Sequence, residues 1–274
     1  MFPQGQHPPA RHGEVPAALP GAVHLPWTDL TRTVRTGMPV YPGDPAVRIS
    51  PALRLAEDGV EVAHLRLGSH TGTHVDAPAH TVSGGRTVDR LRLDELVGDA
   101  LVLGFEGLPA DAVITAGMVA ALVGDDAARV PERVLVATGW DRVFHDPEQS
   151  LHHPVLTAEA AEVLWGAGAR LLGVDTLSPD PTVPPDRTVP ADQPGLSVHE
   201  VFLGRDGVIV ENLTGLAGLR RPDHDDPGAT DRGASWSAPV WFGVFPLPVH
   251  EGDGAPARAV ARPHPGSALV DGLA

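Results

Sequence analysis

The stretch Ser69-His70-Thr71-Gly72-Thr73-His74-Val75-Asp76-Ala77-Pro78-Ala79-His80 is the part of this chain from which the rest can be read. Three histidines and one aspartate stand there in the spacing H-x3-H-x-D-x3-H. Neutral imidazole and carboxylate are the groups that bind divalent metals where thiolates are missing. A helix would place His70 and His74 on one face. Gly72 and Pro78 break helices, however, and Thr71, Thr73 and Val75 favour extended backbone. On a strand, residues 70, 72, 74 and 76 share a face. A straight strand would hold His70 about 13 Å from His74, too far for one ion. Gly72 lets the chain bend between them. The expectation is a strand end that curls into a loop around a metal, with Pro78 stiffening the turn that presents His80.

Composition narrows the chemistry further. The chain has 274 residues, 42% of them hydrophobic, enough for one large domain or two small ones. A formal charge of −15 opposes binding to nucleic acid or to anionic membranes. All 20 basic residues are arginine, so Schiff-base and phosphate-loop lysines are excluded. Cysteine is absent, which removes disulfides, thiolate nucleophiles and Cys-based zinc sites. No apolar run approaches the ~18 residues of a membrane helix, and no signal-peptide core is visible. A soluble, cytoplasmic protein is expected.

Outward from the motif, Val47 to Leu55 and Val60 to Leu67 read as strands. In the second, Val62, His64 and Arg66 alternate with Ala63, Leu65 and Leu67, a half-buried pattern. Tyr41-Pro42-Gly43-Asp44 is a turn holding the chain's single tyrosine, whose ring either lines a pocket or covers a loop. A short helix is expected over 91–96 and a buried strand over 100–105. Thr115 and Thr157 are expected to cap helices through about Val123 and Trp165. Val134 to Ala137 and Arg170 to Val174 are apolar strands around the second helix, a crossover unit. The first ends at Thr138-Gly139-Trp140-Asp141, where Trp140 and Asp141 either line a site or close a turn. Leu177 to Gly195 carries six prolines and reads as a lid, an interface arm or an insert. Ser197 is expected to cap a short helix carrying His199 and Glu200. Val208 to Val210 is a strand leading into Glu211-Asn212-Leu213, and Val240 to Leu247 is the last strand. Residues 1–26 read as a disordered Pro-rich tail, 27–264 as one domain and 265–274 as a frayed end. His224-Asp225-Asp226 reads as part of a solvated surface loop over 221–237.

The motif His70 to His80 resembles the signature H-x-G-T-H-x-D-x-P-x-H of the metal-dependent cyclase family of hydrolases, which includes bacterial kynurenine formamidase and isatin hydrolase. The likeness extends through Tyr41 to Asp44, Gly173 to Ser178, Glu211 to Leu213 and Pro246 to Pro248. It implies a single α/β domain with a mixed, barrel-like β core and flanking helices, assembled as a homo-oligomer, a dimer or a tetramer. It implies two Zn2+ per subunit, with Mn2+ the alternative, because carboxylates dominate the bridge. His70, His74 and Asp76 would hold one ion and His199 the other, with Asp76 and Glu211 bridging. His199 and Glu211 keep the family's twelve-residue interval. His80 matches the family's acid/base, and Tyr41 and Trp140 would stack on an aromatic substrate. Ala255 departs from the family, where a serine often stands in that position. The activity implied is hydrolysis of a small aryl formamide such as N-formylkynurenine, or of a lactam. The alternatives are a cyclase or lactonase of secondary metabolism, and a non-catalytic protein that a metal stabilises.

Overall fold

The structure, a computed structural model, describes residues 26–105, 107–124, 130–182, 195–220 and 235–263. The expected N-terminal tail (but for Pro26), the His224-Asp225-Asp226 cluster, most of the Pro-rich segment and the C-terminal end lie outside these residues.

The strands are β1 (Thr28–Asp29), β2 (Arg48–Leu53), β3 (Val62–Arg66), β4 (His74–Asp76), β5 (Val97–Phe105), β6 (Val113–Ile114) and β7 (Arg133–Ala137). They continue as β8 (Val155–Leu156), β9 (Leu171–Val174), β10 (Val208–Glu211), β11 (Ser235–Pro246) and β12 (Gly254–Pro263). Helices α1 (Leu55–Asp58), α2 (Leu93–Leu96), α3 (Ala116–Val123), α4 (Ala158–Gly166) and α5 (Ser197–Phe202) lie between them. Thr115 and Thr157 cap α3 and α4 through their hydroxyl oxygens, as their positions predict.

Strands β5, β7, β9 and β10 pair in parallel, joined by crossovers that carry the helices. β4 adds antiparallel to β10, β11 adds antiparallel to β5, and β12 pairs with both β11 and β4. The last pairing closes seven strands into a barrel, so the barrel-like core expected from the family resemblance is present. β1 extends the sheet beside β12.

Closure explains why the parallel strands read as unbroken apolar runs, since both of their faces are buried. In β7, Leu135 and Ala137 join a cluster drawn from strands all round the barrel, with Val75, Val210, Phe242 and Ala259. Val134 and Val136 face the other way, onto Val119 of α3, Leu164 of α4 and Phe202 of α5. The interior therefore has its own core, and the helices cover a second one outside it.

Two expectations need correcting. The pair β2–β3 stands off as a separate two-stranded sheet with both faces exposed, so the alternation in Val62 to Leu67 does not mark a half-buried strand. Ile49, Leu53, Val62 and Leu65 are all exposed there. Conversely, β12 is a ten-residue strand where the sequence suggests no element. Its inward positions are Ala255, Ala257, Ala259 and Ala261, all buried. Alanine has weak strand propensity, which hides the period of two. Those small side chains make room for larger ones such as Phe242 and Val244 on β11.

The register of β4 positions the site. Asp76 lies opposite Ile209 on one side and Gly254 on the other, and His74 lies opposite Glu211 and Pro256. At Gly254 the packing leaves no room for a side chain. A Cβ there would come 2.6 Å from the Val75 carbonyl oxygen and 2.9 Å from His70 Cε1. Gly254→Ala is therefore expected to push β12 off β4 at a cost of about 1–3 kcal/mol, read as a lowered midpoint in urea unfolding. Metal affinity should fall with it, because the His70 ring would be displaced too.

Among the described residues, no helix is long and apolar enough to cross a membrane.

Candidate metal centre

Gly72 takes the left-handed conformation (φ +62°), the bend the sequence predicts, and the chain then enters β4. Pro78 opens a 3-10 turn that ends at His80. These two features bring His70 and His80 together, with ring centroids 4.0 Å apart.

Around Asp76 the expected ligands converge. Asp76 Oδ1 lies 2.7 Å from His70 Nδ1 and 3.2 Å from His74 Nε2. Its Oδ2 lies 3.7 Å from His199 Nε2. Glu211 offers Oε1 at 3.5 Å from His199 Nε2 and Oε2 at 3.4 Å from His74 Nε2. Two overlapping groups result, His70–Asp76–His80 and His74–Asp76–Glu211, with the ligand atoms in each within 4.8 Å of one another. Asp76 belongs to both. His80 stands within the first group, in reach of the same space as His70.

Each of His70, His74 and His199 has one ring nitrogen held by a partner outside the Asp76–Glu211 pair, and His70 Nδ1 is in addition bonded to Asp76. His74 Nδ1 donates to the Gly72 carbonyl at 2.8 Å, and His199 Nδ1 lies 2.7 Å from Asp180 Oδ2. His70 Nε2 lies 2.9 Å from Asp253 Oδ2. Metal-binding histidines are usually held this way, with one nitrogen anchored and the other free to coordinate. The inner atoms support the same conclusion. His74 Nε2 and Asp76 Oδ2 are buried without a hydrogen-bond partner, although other ligand atoms lie only 3–4 Å away. Burying such groups unpaired is costly, and a cation between them would satisfy both. The donor set of imidazoles and carboxylates fits a divalent metal.

The electrostatics follow from this crowding. Burial alone would lower the pKa of His74, but Asp76 and Glu211 outweigh it and hold it well above 6.5. His199 is raised well above 6.5 in the same way, by Asp180, Asp76 and Glu211 against burial, and His70 is raised more modestly. Burial would raise Asp76, yet His74, His199 and His70 hold it well below 3.8. Glu211 is pushed up by burial and by Asp76, but His199 and His74 leave it below 4.5.

The sign of the pH dependence can be worked out from these shifts. The raised histidines stabilise the metal-free fold fully below 6.5, and that contribution is lost as pH rises through their raised values. The depressed carboxylates contribute above 4.5, and that is lost as pH falls through their lowered values. Metal-free protein should thus be most stable at about pH 4.5–6.5, with Tm falling above it. Metal binding needs unprotonated imidazoles, so the gain in Tm on adding Zn2+ should grow over the same alkaline range. Thermal unfolding across pH, with chelator and with Zn2+, checks both slopes.

His70, His74, His80, His199 and Glu211 line a cavity of about 300 Å³. Its walls also include Pro39, Tyr41, Pro42, Leu177 and Leu196. Asp44 also lines it, and burial pushes its carboxyl up. Trp140 does not take the position expected of it. It is not among the lining residues, and its indole N–H donates to the Gln149 carbonyl. The turn bearing it is tied down elsewhere. The Thr138 and Gly139 backbone amides donate to Asp175, whose carboxyl burial pushes up to about 6. Asp141 closes a turn by accepting from the Thr214 hydroxyl and the Gly215 amide. Ala255, where the family often has serine, packs on Ala77 and Val88 and does not line the cavity.

Sequence reasoning missed Asp180 and Asp253. Ser197 is not the cap of α5, since it is the first helical residue and Asp180 receives the Val198 and His199 amides instead. No local spacing links Asp180 to His199, and Asp253 reaches His70 only because β12 pairs with β4.

Residues 28–181 match the family model named Cyclase and described as "Putative cyclase". The chain is 33% identical over 239 residues to kynurenine formamidase of Salinibacter ruber, covering 86% of this chain and 97% of that one. It is 31% identical over 244 residues to kynurenine formamidase of Geobacillus thermodenitrificans, again covering 86% and 97%. Its fold matches isatin hydrolase A from Labrenzia aggregata bound to benzyl benzoate, with TM-score 0.69 and 22% identity over 87% of this chain and 94% of that one. It also matches a structure described as a potential metal-dependent hydrolase with cyclase activity, with TM-score 0.60 and 23% identity over 87% and 98%. The curated relatives at 30% identity and above are hydrolases, and this protein is an enzyme of that class. The chain belongs to the cyclase family.

Proposed function

We propose that the enzyme hydrolyses a small aryl formamide of the N-formylkynurenine type. The observation that carries this reading is the pair of unpartnered buried atoms, His74 Nε2 and Asp76 Oδ2, in a His/carboxylate cluster lining a small, partly apolar cavity. Relatives named kynurenine formamidase at about one-third identity support the substrate class.

His70, His74, Asp76, His199 and Glu211 would hold two Zn2+, with Mn2+ the alternative. When bound, such ions supply a water acidic enough to ionise near neutral pH and polarise the substrate carbonyl. The rest falls to the side chains. Burial lowers the His80 pKa, so the ring is neutral at pH 7 and able to take a proton. Having taken it from the water that attacks the formyl carbon, His80 gives it to the amine nitrogen as the C–N bond breaks. Asp253 Oδ2 lies 3.6 Å from His80 Nδ1, near enough for its charge to favour the protonated ring. Tyr41, Leu177 and Leu196 hold the aryl ring and keep bulk water out.

The test is hydrolysis of N-formyl-L-kynurenine by protein loaded with Zn2+ or Mn2+, against a chelated control. Metal-dependent turnover is expected. Loaded protein that leaves the formamide intact but opens a lactam or lactone would overturn the substrate assignment. Loaded protein inert toward amides, lactams and esters would point to a non-catalytic role.

A further inference from the structure

The ligand histidine that arrives from outside the signature motif is His199, and its placement depends on a residue in the Pro-rich loop. Asp180 is fully buried. Its Oδ2 lies 2.7 Å from His199 Nδ1 and accepts from the His199 backbone amide at 3.1 Å. Its Oδ1 accepts from the Val198 amide at 2.9 Å and the Ser197 hydroxyl at 3.2 Å. One carboxylate thus fixes both the start of α5 and the ring it carries.

We propose that Asp180 is a positioning residue that commits His199 to the tautomer with Nδ1 protonated and Nε2 turned toward Asp76 and Glu211. This rests on reading the cluster as a metal centre. An acceptor-only group beside Nδ1 requires a proton on that nitrogen, which leaves the Nε2 lone pair for a cation. A carboxylate also makes the imidazole a stronger donor ligand than a backbone carbonyl would.

Asp180 sits in a braced turn, which makes it a rigid support. The Pro179 carbonyl accepts from the Leu156 amide at 2.9 Å, and the Thr176 hydroxyl donates to the Ser178 carbonyl at 2.7 Å. The Asn212 amide donates to the Thr176 carbonyl at 3.0 Å, one residue past Glu211. Leu177 and Ser178 of the same turn line the cavity. The turn therefore joins cavity wall, helix start and metal ligands in one unit. A pure helix cap would not need a bond to the ring.

The experiment measures Zn2+ affinity by chelator competition in wild type, Asp180→Asn and Ser197→Ala, together with the Tm of each metal-free protein. Asp180→Asn is expected to weaken Zn2+ binding about 10–100-fold. Ser197→Ala, which removes one hydrogen bond to Asp180 Oδ1 and leaves its contact with the ring, should leave affinity unchanged. In wild type loaded with 113Cd2+, the metal should couple to His199 Nε2, with a slowly exchanging proton on Nδ1. Wild-type affinity in Asp180→Asn, or coupling through Nδ1, would overturn the proposal. The cadmium spectrum decides the matter alone if Asp180→Asn does not fold. Wild type that binds neither ion would overturn the metal-centre reading as well, an outcome distinct from a failure of Asp180 alone.

Discussion

Asp76→Asn is expected to abolish stoichiometric metal binding and to lower kcat/KM by about 10³-fold or more, on the order of 4 kcal/mol of transition-state stabilisation. The substitution is nearly isosteric, so packing loss does not account for the effect. Asp76 is the one residue shared by both ligand groups, and its oxygens face His70, His74 and His199. An amide in its place removes the negative charge and turns one acceptor into a donor aimed at imidazole nitrogens. The buried histidines also lose the group that holds their pKa values up, so His74 in metal-free protein moves back toward its ordinary value or below. Metal content by mass spectrometry and steady-state kinetics on the same preparation check the result. A variant that is metal-free yet fully active would remove the metal from the reaction.

The second large effect is expected at His80, and it should differ in kind. His80→Ala should keep its metal, because Asp76, Glu211 and the other three histidines remain. Its kcat should fall about 10²–10⁴-fold with KM little changed, the usual contribution of a positioned acid/base. The wild-type profile should carry an acidic limb below pH 6.5, since burial lowers the pKa of this ring. That limb should vanish in the variant. Loss of metal together with activity would instead make His80 a ligand, a role its place in the His70–Asp76–His80 group allows. An unchanged rate would remove it from the chemistry.

How much of this was legible in the sequence depends on the range of each interaction. The bend at Gly72, the turn at Pro78 and the caps at Thr115 and Thr157 are local, and each follows from backbone preferences within a few residues. The parallel strands were legible because burial on both faces leaves an unbroken apolar run. The hairpin β2–β3 was misjudged because alternation shows only that a strand has two faces and does not show that either is covered. Strand β12 was missed because its inward residues are alanines, whose size suits the barrel better than their propensity suits a strand.

For the site the division is similar. The sequence by itself determined the chemistry, since a lysine-free, cysteine-free chain with His70, His74, Asp76 and His80 so closely spaced has only imidazole and carboxylate to offer a metal. Only the tertiary structure decided the geometry. It set Glu211 opposite His74, brought Asp253 to His70, placed Asp180 under His199 and kept Trp140 out of the cavity. The physical reason is that these contacts depend on strand register and barrel closure, which join segments far apart in the chain. Local preferences do not encode them, because they exist only once the barrel has closed.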